Sequence, residues 1–280
     1  RPLGGNPCAI VFDCPDLDDA TYLAIAREMN LSETSFVWQK PDGHFRARYF
    51  TPAEEIPLAG HPTIATTFAL VETGRLKVDD YLKIPLELRD GPIDVEIFAQ
   101  HGQVERFVMS QRKPKFLRIY PPEDVLPAFG LDSGDLLPAA AIQTVSTGTP
   151  QIMIPLKGHE SLRKARLDVE KYVALRESGD FFSPHLFCLE GIENGATFAR
   201  HFGVPPDTME DPFTGSATGG MAAYLWRYGL IPEPAFIAEQ GHWMQRPGQA
   251  SVEVVGARDD IQTVKVGGSA VKVISGELVI

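Results

Sequence analysis

Apolar and polar positions along the chain fall into two similar runs of short strands interrupted by one apolar helix. Residues 8–12 form an apolar run of strand length, and residues 18–29 carry Tyr22, Leu23, Ile25, Ala26 and Met29 at helical spacing. Strand character returns over 32–39 and alternates over 46–51, which puts Glu33 at the start of a strand just after a helix. A polar loop at 52–57 leads to an apolar helix over 63–70 that closes before Gly74. Residues 76–109 read as successive strands with turns at 79–80, 89–92 and 101–102, a β-meander ending the first half.

Pro114, Pro121, Pro122 and Pro127, around a helical stretch at 123–129, mark a linker. Beyond it, strands are predicted at 139–145 and 151–155, split by a Ser146-Thr147-Gly148-Thr149-Pro150 turn that matches Gly4-Gly5-Asn6-Pro7 in the first half. An exposed helix over 162–175, strands at 181–189 and 196–202, and an apolar helix over 217–227 follow, the last closing before Gly229. Short strands are predicted again at 236–240, 251–255, 261–267 and 271–280. Helices this apolar are buried on most sides. The expectation is an α+β fold in which each half wraps its sheet around its own helix, with halves at 1–115 and 116–280 and the last strand returning to the first half.

The two central helices begin alike. Gly60-His61-Pro62-Thr63 aligns without gaps with Gly215-Ser216-Ala217-Thr218, and the pairs Glu54-Glu55 and Glu210-Asp211 precede them, which hints at an internal duplication. A helix start displays unpaired backbone N–H groups and partial positive charge, so it attracts anions. The plain structural reading is a capped helix, with Thr214 or Ser216 as N-cap, His61 capping its own helix, Asp211 as an N-terminal helix charge and Glu33 a solvated glutamate. The functional reading has both starts facing a cleft between the halves and holding a small carboxylate.

Composition narrows the chemistry. The 280 residues are 44% hydrophobic with a net charge of −11, which argues against nucleic acid or an acidic membrane as the main partner. No apolar run approaches membrane-spanning length. Three cysteines without metal-site spacing, and no signal peptide, fit a reducing cytoplasm. The opening turn has no strand before it, so further natural residues upstream are expected. The seven histidines are scattered, and no metal site is expected. Thr214-Gly215-Ser216-Ala217-Thr218 is not a Gly-x-Ser-x-Gly nucleophile elbow, neither glycine turn has a phosphate-loop lysine, and no nicotinamide fingerprint occurs. What remains is proton transfer between carboxyl groups and a bound small acid, without a cofactor, by a carboxyl whose pKa an apolar cleft raises.

Six segments then fall in one order: Gly4-Gly5-Asn6-Pro7, residues 26–36 with Asn30-Leu31-Ser32-Glu33-Thr34, Arg48-Tyr49-Phe50-Thr51-Pro52, residues 55–63, Glu210-Asp211-Pro212-Phe213-Thr214-Gly215-Ser216-Ala217, and Gln240-Gly241 with Met244 and Arg246-Pro247-Gly248. On these the chain resembles the PhzF-like family of the diaminopimelate epimerase superfamily. The resemblance implies two pseudosymmetric domains, each a β-sheet rolled around a central helix, with the active site between them and a homodimer as the assembly. It implies Glu33 as catalytic acid/base and His61, Asp211 and Ser216 at the other polar active-site positions, with amides at Gly60-His61 and Gly215-Ser216 holding substrate oxygens. Glu210 is read as structural, and Gln240 and Arg246 as supporting. Epimerases of the superfamily use two cysteines beside the helix starts. Here Ala59 precedes Gly60 and the second motif has no cysteine, so a two-thiol racemase is not expected. The expected function is a cofactor-independent isomerase of a small carboxylic acid. The alternatives are a carboxyl-based epimerase and a non-catalytic protein that binds a small metabolite.

Overall fold

The computed structural model describes residues 2–14 and 16–280. The first half runs β1 (Cys8–Phe12), α1 (Asp19–Met29), β2 (Glu33–Gln39), β3 (Phe45–Phe50), β4 (Glu55–Ile56), α2 (Gly60–Glu72), β5 (Tyr81–Leu88), β6 (Gly91–Gln100) and β7 (Gln103–Ser110). Asp18 caps α1 by accepting from the Thr21 amide at 2.7 Å, and Asn30 ends it in the left-handed conformation at φ 48°. Adjacent residues of β2 serve opposite faces of the sheet. Phe36 packs with Tyr22, Ile25 and Phe50 under α1, whereas Val37 joins the core around α2.

The second half runs β8 (Lys115–Tyr120), α3 (Pro122–Val125), β9 (Ile142–Ser146), β10 (Pro150–Pro155), α4 (His159–Lys164), α5 (Val169–Ser178), β11 (Ser183–Cys188), β12 (Thr197–Phe202), β13 (Glu210–Asp211), α6 (Gly215–Arg227), β14 (Ala235–Gln240), β15 (Gly248–Ala257) and β16 (Asp260–Gly268). Helix α6 is buried from Gly215 to Leu225 among β9, β10, β15 and β16. Each large side chain that it hides, such as Met221 or Leu225, contributes about 1.5–3 kcal/mol. The strands form one hydrogen-bonded path, β1-β2-β3-β5-β6-β7-β16-β15-β14-β12-β11-β10-β9-β8, with β4 on β3 and β13 on β12. β16 joins the halves, pairing Lys265 to Gly268 against Ser110 to Phe107 of β7 and lying beside β15.

The two halves repeat in detail. In each, a two-residue strand carrying a glutamate returns antiparallel to a longer strand carrying an arginine, just before the central helix. Arg48 grips Glu55 through Nε and Nη2 at 2.9 and 2.7 Å, and Arg200 grips Glu210 in the same way at 2.8 and 2.7 Å. The starts of α2 and α6 then meet backbone to backbone. A Cβ on Gly60 would lie 2.6 Å from the Ser216 nitrogen and 2.7 Å from the Gly215 carbonyl carbon, so only a residue without a Cβ permits the contact.

Several expectations are corrected. Residues 271–280 form no strand, because no edge pairs with them, and Val273, Ile274 and Val279 are exposed. The helix expected over 162–175 breaks into α4 and α5 where Asp168 accepts from Lys171 N and caps the second piece. Lys115–Tyr120, read as part of a linker, pairs with β9 as a strand. Thr214 holds the N-cap position of α6 without a side-chain cap bond, and Ser216 lies within the helix.

Candidate active site

Each candidate side chain is delivered by an element end. Glu33 opens β2, directly after the turn that closes α1, and His61 is the second residue of α2. Asp211 ends β13, and Gly215-Ser216 opens α6. Because the helix starts abut, these residues converge at the seam between the halves. Neither start has a side-chain cap bond, so neither N-cap side chain satisfies the first amides of its helix.

Glu33 Oε2 and His61 Nε2 lie 3.2 Å apart, on side chains only 16% and 13% exposed. The two atoms are close but misaligned, so neither is hydrogen-bonded despite being buried. Burial, followed by the negative charges of Asp211 and Asp207, pushes the Glu33 carboxyl well above its ordinary value. Burial lowers His61 to about 3, against a raising effect of the Pro7 carbonyl, so the ring is neutral and its contact with Glu33 is not an ion pair. The Asn6 amide nitrogen lies 3.1 Å from His61 Nδ1. Asn6 Nδ2 also donates to Asp211 Oδ1 at 2.7 Å and to the Phe213 carbonyl at 2.8 Å, which directs both of its hydrogens away from the ring.

Asp211 is held from both halves. Its Oδ1 accepts from Asn6 Nδ2 at 2.7 Å and Ser32 Oγ at 2.8 Å, and its Oδ2 accepts from Thr214 Oγ1 at 2.6 Å. Burial still raises its pKa, against the lowering effect of Thr214, Ser32 and Asn6. Gln240 donates to the Asp211 carbonyl at 2.7 Å and accepts from the Thr214 amide at 3.2 Å, which fixes the loop before α6. Ser216 Oγ accepts from Gln151 Nε2 at 3.2 Å, and Gln111 donates to the Gly215 carbonyl at 2.8 Å.

The structure thus brings Glu33, His61, Asp211, Gly60, Gly215 and Ser216 together. Glu210 is bound by Arg200, and Arg246 braces the opening turn through the carbonyls of Gly4 and Gly5. The sequence pattern assigned no role to Asn6, Ser32 or Asp207, and to Thr214 only that of a helix cap. Asn6 had a signal, since Gly4-Gly5-Asn6-Pro7 stands out as a turn. Asp207 had none, because only the return of the 203–209 loop places its buried, unpartnered Oδ1 near Glu33.

Cys8 lies opposite Glu33 in the β1–β2 register, and burial together with the Glu33 charge raises its thiol well above the ordinary value. Among the described residues, Glu193, Glu239 and His242 are close enough to share an ion. Glu239, however, already accepts from the amides of Ile192, Glu193, Asn194 and Gly195 and from Gln249, so its carboxylate anchors a loop. The described residues contain no helix long and apolar enough to cross a membrane.

Comparison with known proteins gives one consistent result. The family model of phenazine biosynthesis-like proteins, PhzC-PhzF, matches residues 1–276. The trans-2,3-dihydro-3-hydroxyanthranilate isomerase of Pseudomonas aeruginosa is 34% identical over 275 residues, covering 96% of this chain and 92% of its own length. An uncharacterized isomerase of Mesorhizobium japonicum is 32% identical over 289 residues, covering 99% and 95%. The crystal structure of a Bacillus anthracis PhzF-family phenazine biosynthesis protein superimposes with a TM-score of 0.86 at 30% identity, covering 100% and 95%. A probable proline racemase from Agrobacterium radiobacter shares the fold at a TM-score of 0.67 and 12% identity, covering 90% and 79%.

Proposed function

The chain belongs to the PhzC-PhzF family of phenazine biosynthesis-like proteins, whose named relatives are isomerases, and on that premise we propose that it is a cofactor-independent isomerase of a small carboxylic acid with Glu33 as acid/base. One observation carries this reading. The unpartnered Glu33 Oε2 and His61 Nε2 face each other beside two uncapped helix starts. The amides at Gly60-His61 and Gly215-Ser216 receive the substrate carboxylate, and the helix-start charge stabilises the electron density that flows into it when a neighbouring C–H loses its proton. Glu33 removes that proton and returns it at another carbon. The burial that raises its carboxyl holds the proton more tightly and makes its carboxylate a stronger base than an exposed one.

His61, neutral, orients a substrate oxygen, and Asp211 orients a second polar group. Glu33 and His61 are so little exposed that substrate reaches them only when the halves part, and closure then excludes water. The homodimer implied by the family resemblance is part of the same reading.

The test is a panel of small unsaturated and cyclic acids, with trans-2,3-dihydro-3-hydroxyanthranilate among them, incubated in D2O. Deuterium at a new carbon with a shifted double bond is the expected outcome, and Glu33→Gln should abolish it. A carboxyl-based epimerase is the second reading, favoured by the Asp211 charge felt at Glu33. It would wash deuterium into one carbon with inversion. Binding without exchange in any acid would leave only a metabolite-binding role.

A further inference from the structure

The second half carries a cavity of about 250 Å³ lined by Arg163, Arg166, Arg200, Glu210, Trp243 and Met244. Successive strand residues point to opposite faces. Asp211 turns to the cleft between the halves, and its neighbour Glu210 turns away into this cavity. Arg200 is fully engaged there, gripping Glu210 and donating through Nη1 to the carbonyls of Leu162 and Ala165. Arg163 and Arg166 differ. Neither has a carboxylate partner among the described residues, whereas their neighbour Lys164 is paired with Asp135 at 2.7 Å. Arg163 lies over the Trp243 ring at 4.1 Å, and Arg166 turns Nη1 to the carbonyls of Arg163 and Ala165. Those carbonyl bonds cap the end of α4 and leave the charge uncompensated.

The internal duplication supplies a comparison. In the first half the matching Arg48–Glu55 fork has Arg89 and Asp19 around it, two cations against two carboxylates. In the second half three guanidiniums meet one carboxylate, in a chain whose net charge is −11. Like charges gathered in a concave site favour an anion between them, and planar guanidiniums match the oxygens of phosphate or carboxylate groups.

We propose that this arginine cavity is a second ligand site, separate from the cleft, for the oxyanion group of a small metabolite, held by Arg163 and Arg166 against the fixed Arg200–Glu210 wall. The test is a titration of the ¹⁵N-labelled protein with inorganic phosphate and, separately, with succinate, at constant ionic strength. The readout is the Trp243 indole N–H resonance, assigned with Trp243→Phe. A saturable shift is expected, unchanged in Glu33→Gln and weakened at least about tenfold in Arg163→Gln/Arg166→Gln, the factor that goes with losing one charge-assisted hydrogen bond. Which anion saturates it distinguishes a phosphate site from a carboxylate site. The two single variants replace the double variant if its spectrum shows unfolding. No shift, a shift that does not saturate, or one equal in the arginine variants would show that these arginines only cap α4. A shift lost in Glu33→Gln would put the anion in the cleft. Either result overturns the proposal.

Discussion

Gly60 and Gly215, 155 positions apart in the chain, touch through their backbones at the centre of the molecule, and the tolerance of the contact is unequal. A Cβ on Gly60 would strike the Ser216 nitrogen and the Gly215 backbone at 2.6–2.8 Å, whereas a Cβ on Gly215 would come only to 3.3 Å from the Gly60 Cα. Backbone atoms cannot swing aside as a flexible side chain can. Gly60→Ala is therefore expected to destabilise by about 3 kcal/mol, the upper end of overpacking costs, and to lose most activity as the helix starts separate. Gly215→Ala should cost about 1 kcal/mol or less. Urea unfolding of the two variants checks the order.

Asp211 acts on Glu33 through charge as well as through position. Its negative charge is the second cause, after burial, that raises the Glu33 carboxyl. Asp211→Asn keeps an oxygen acceptor for Asn6 and Ser32 but removes that charge, so the Glu33 pKa falls. If Glu33 must first act as a base, the acidic limb of kcat/KM moves to lower pH. A profile lowered uniformly, with its limb unmoved, would assign Asp211 to substrate binding alone.

Buried neutral histidines tilt stability the other way in acid. Burial lowers His61 and His201 from 6.5 to about 3, and burial together with its His201 neighbour holds His185 well below its ordinary value. Below pH 6.5 the unfolded chain takes up protons that the folded chain refuses. Stability therefore falls as pH drops toward 3, by at most about 1.4 kcal/mol per pH unit for each histidine. The double variant His185→Gln/His201→Gln should flatten that slope while leaving the share of His61. Glu33 has the opposite sign. Its raised carboxyl lets stability drain as pH climbs above the ordinary carboxylate range, and Glu33→Gln should remove that loss. Thermal unfolding across pH measures both.

Much of this arrangement was legible because the hydrophobic pattern and the helix-start motifs agree. The apolar faces of α2 and α6, the Asp18 cap and the strand that begins at Glu33 follow from local spacing and capping. What was not legible depends on pairing partners. Lys115–Tyr120, flanked by prolines, becomes a strand because β9 offers an edge, while residues 271–280 find none. Asn6 and Asp207 reach the cluster only through contacts across the seam, some of them over 200 residues of sequence, where no periodicity can signal them.

The most direct measurement is deuterium transfer by Glu33→Gln. The glutamine keeps the shape of the side chain and removes the ionisable carboxyl that takes up and releases the proton. With an acid that the wild-type protein isomerises in D2O, the account predicts a variant that is folded and binds the acid, monitored by ligand-observed NMR, yet incorporates deuterium at least about a hundredfold more slowly, the lower range for loss of a general acid/base. Full exchange and turnover by Glu33→Gln would contradict it and take the proton transfer away from Glu33.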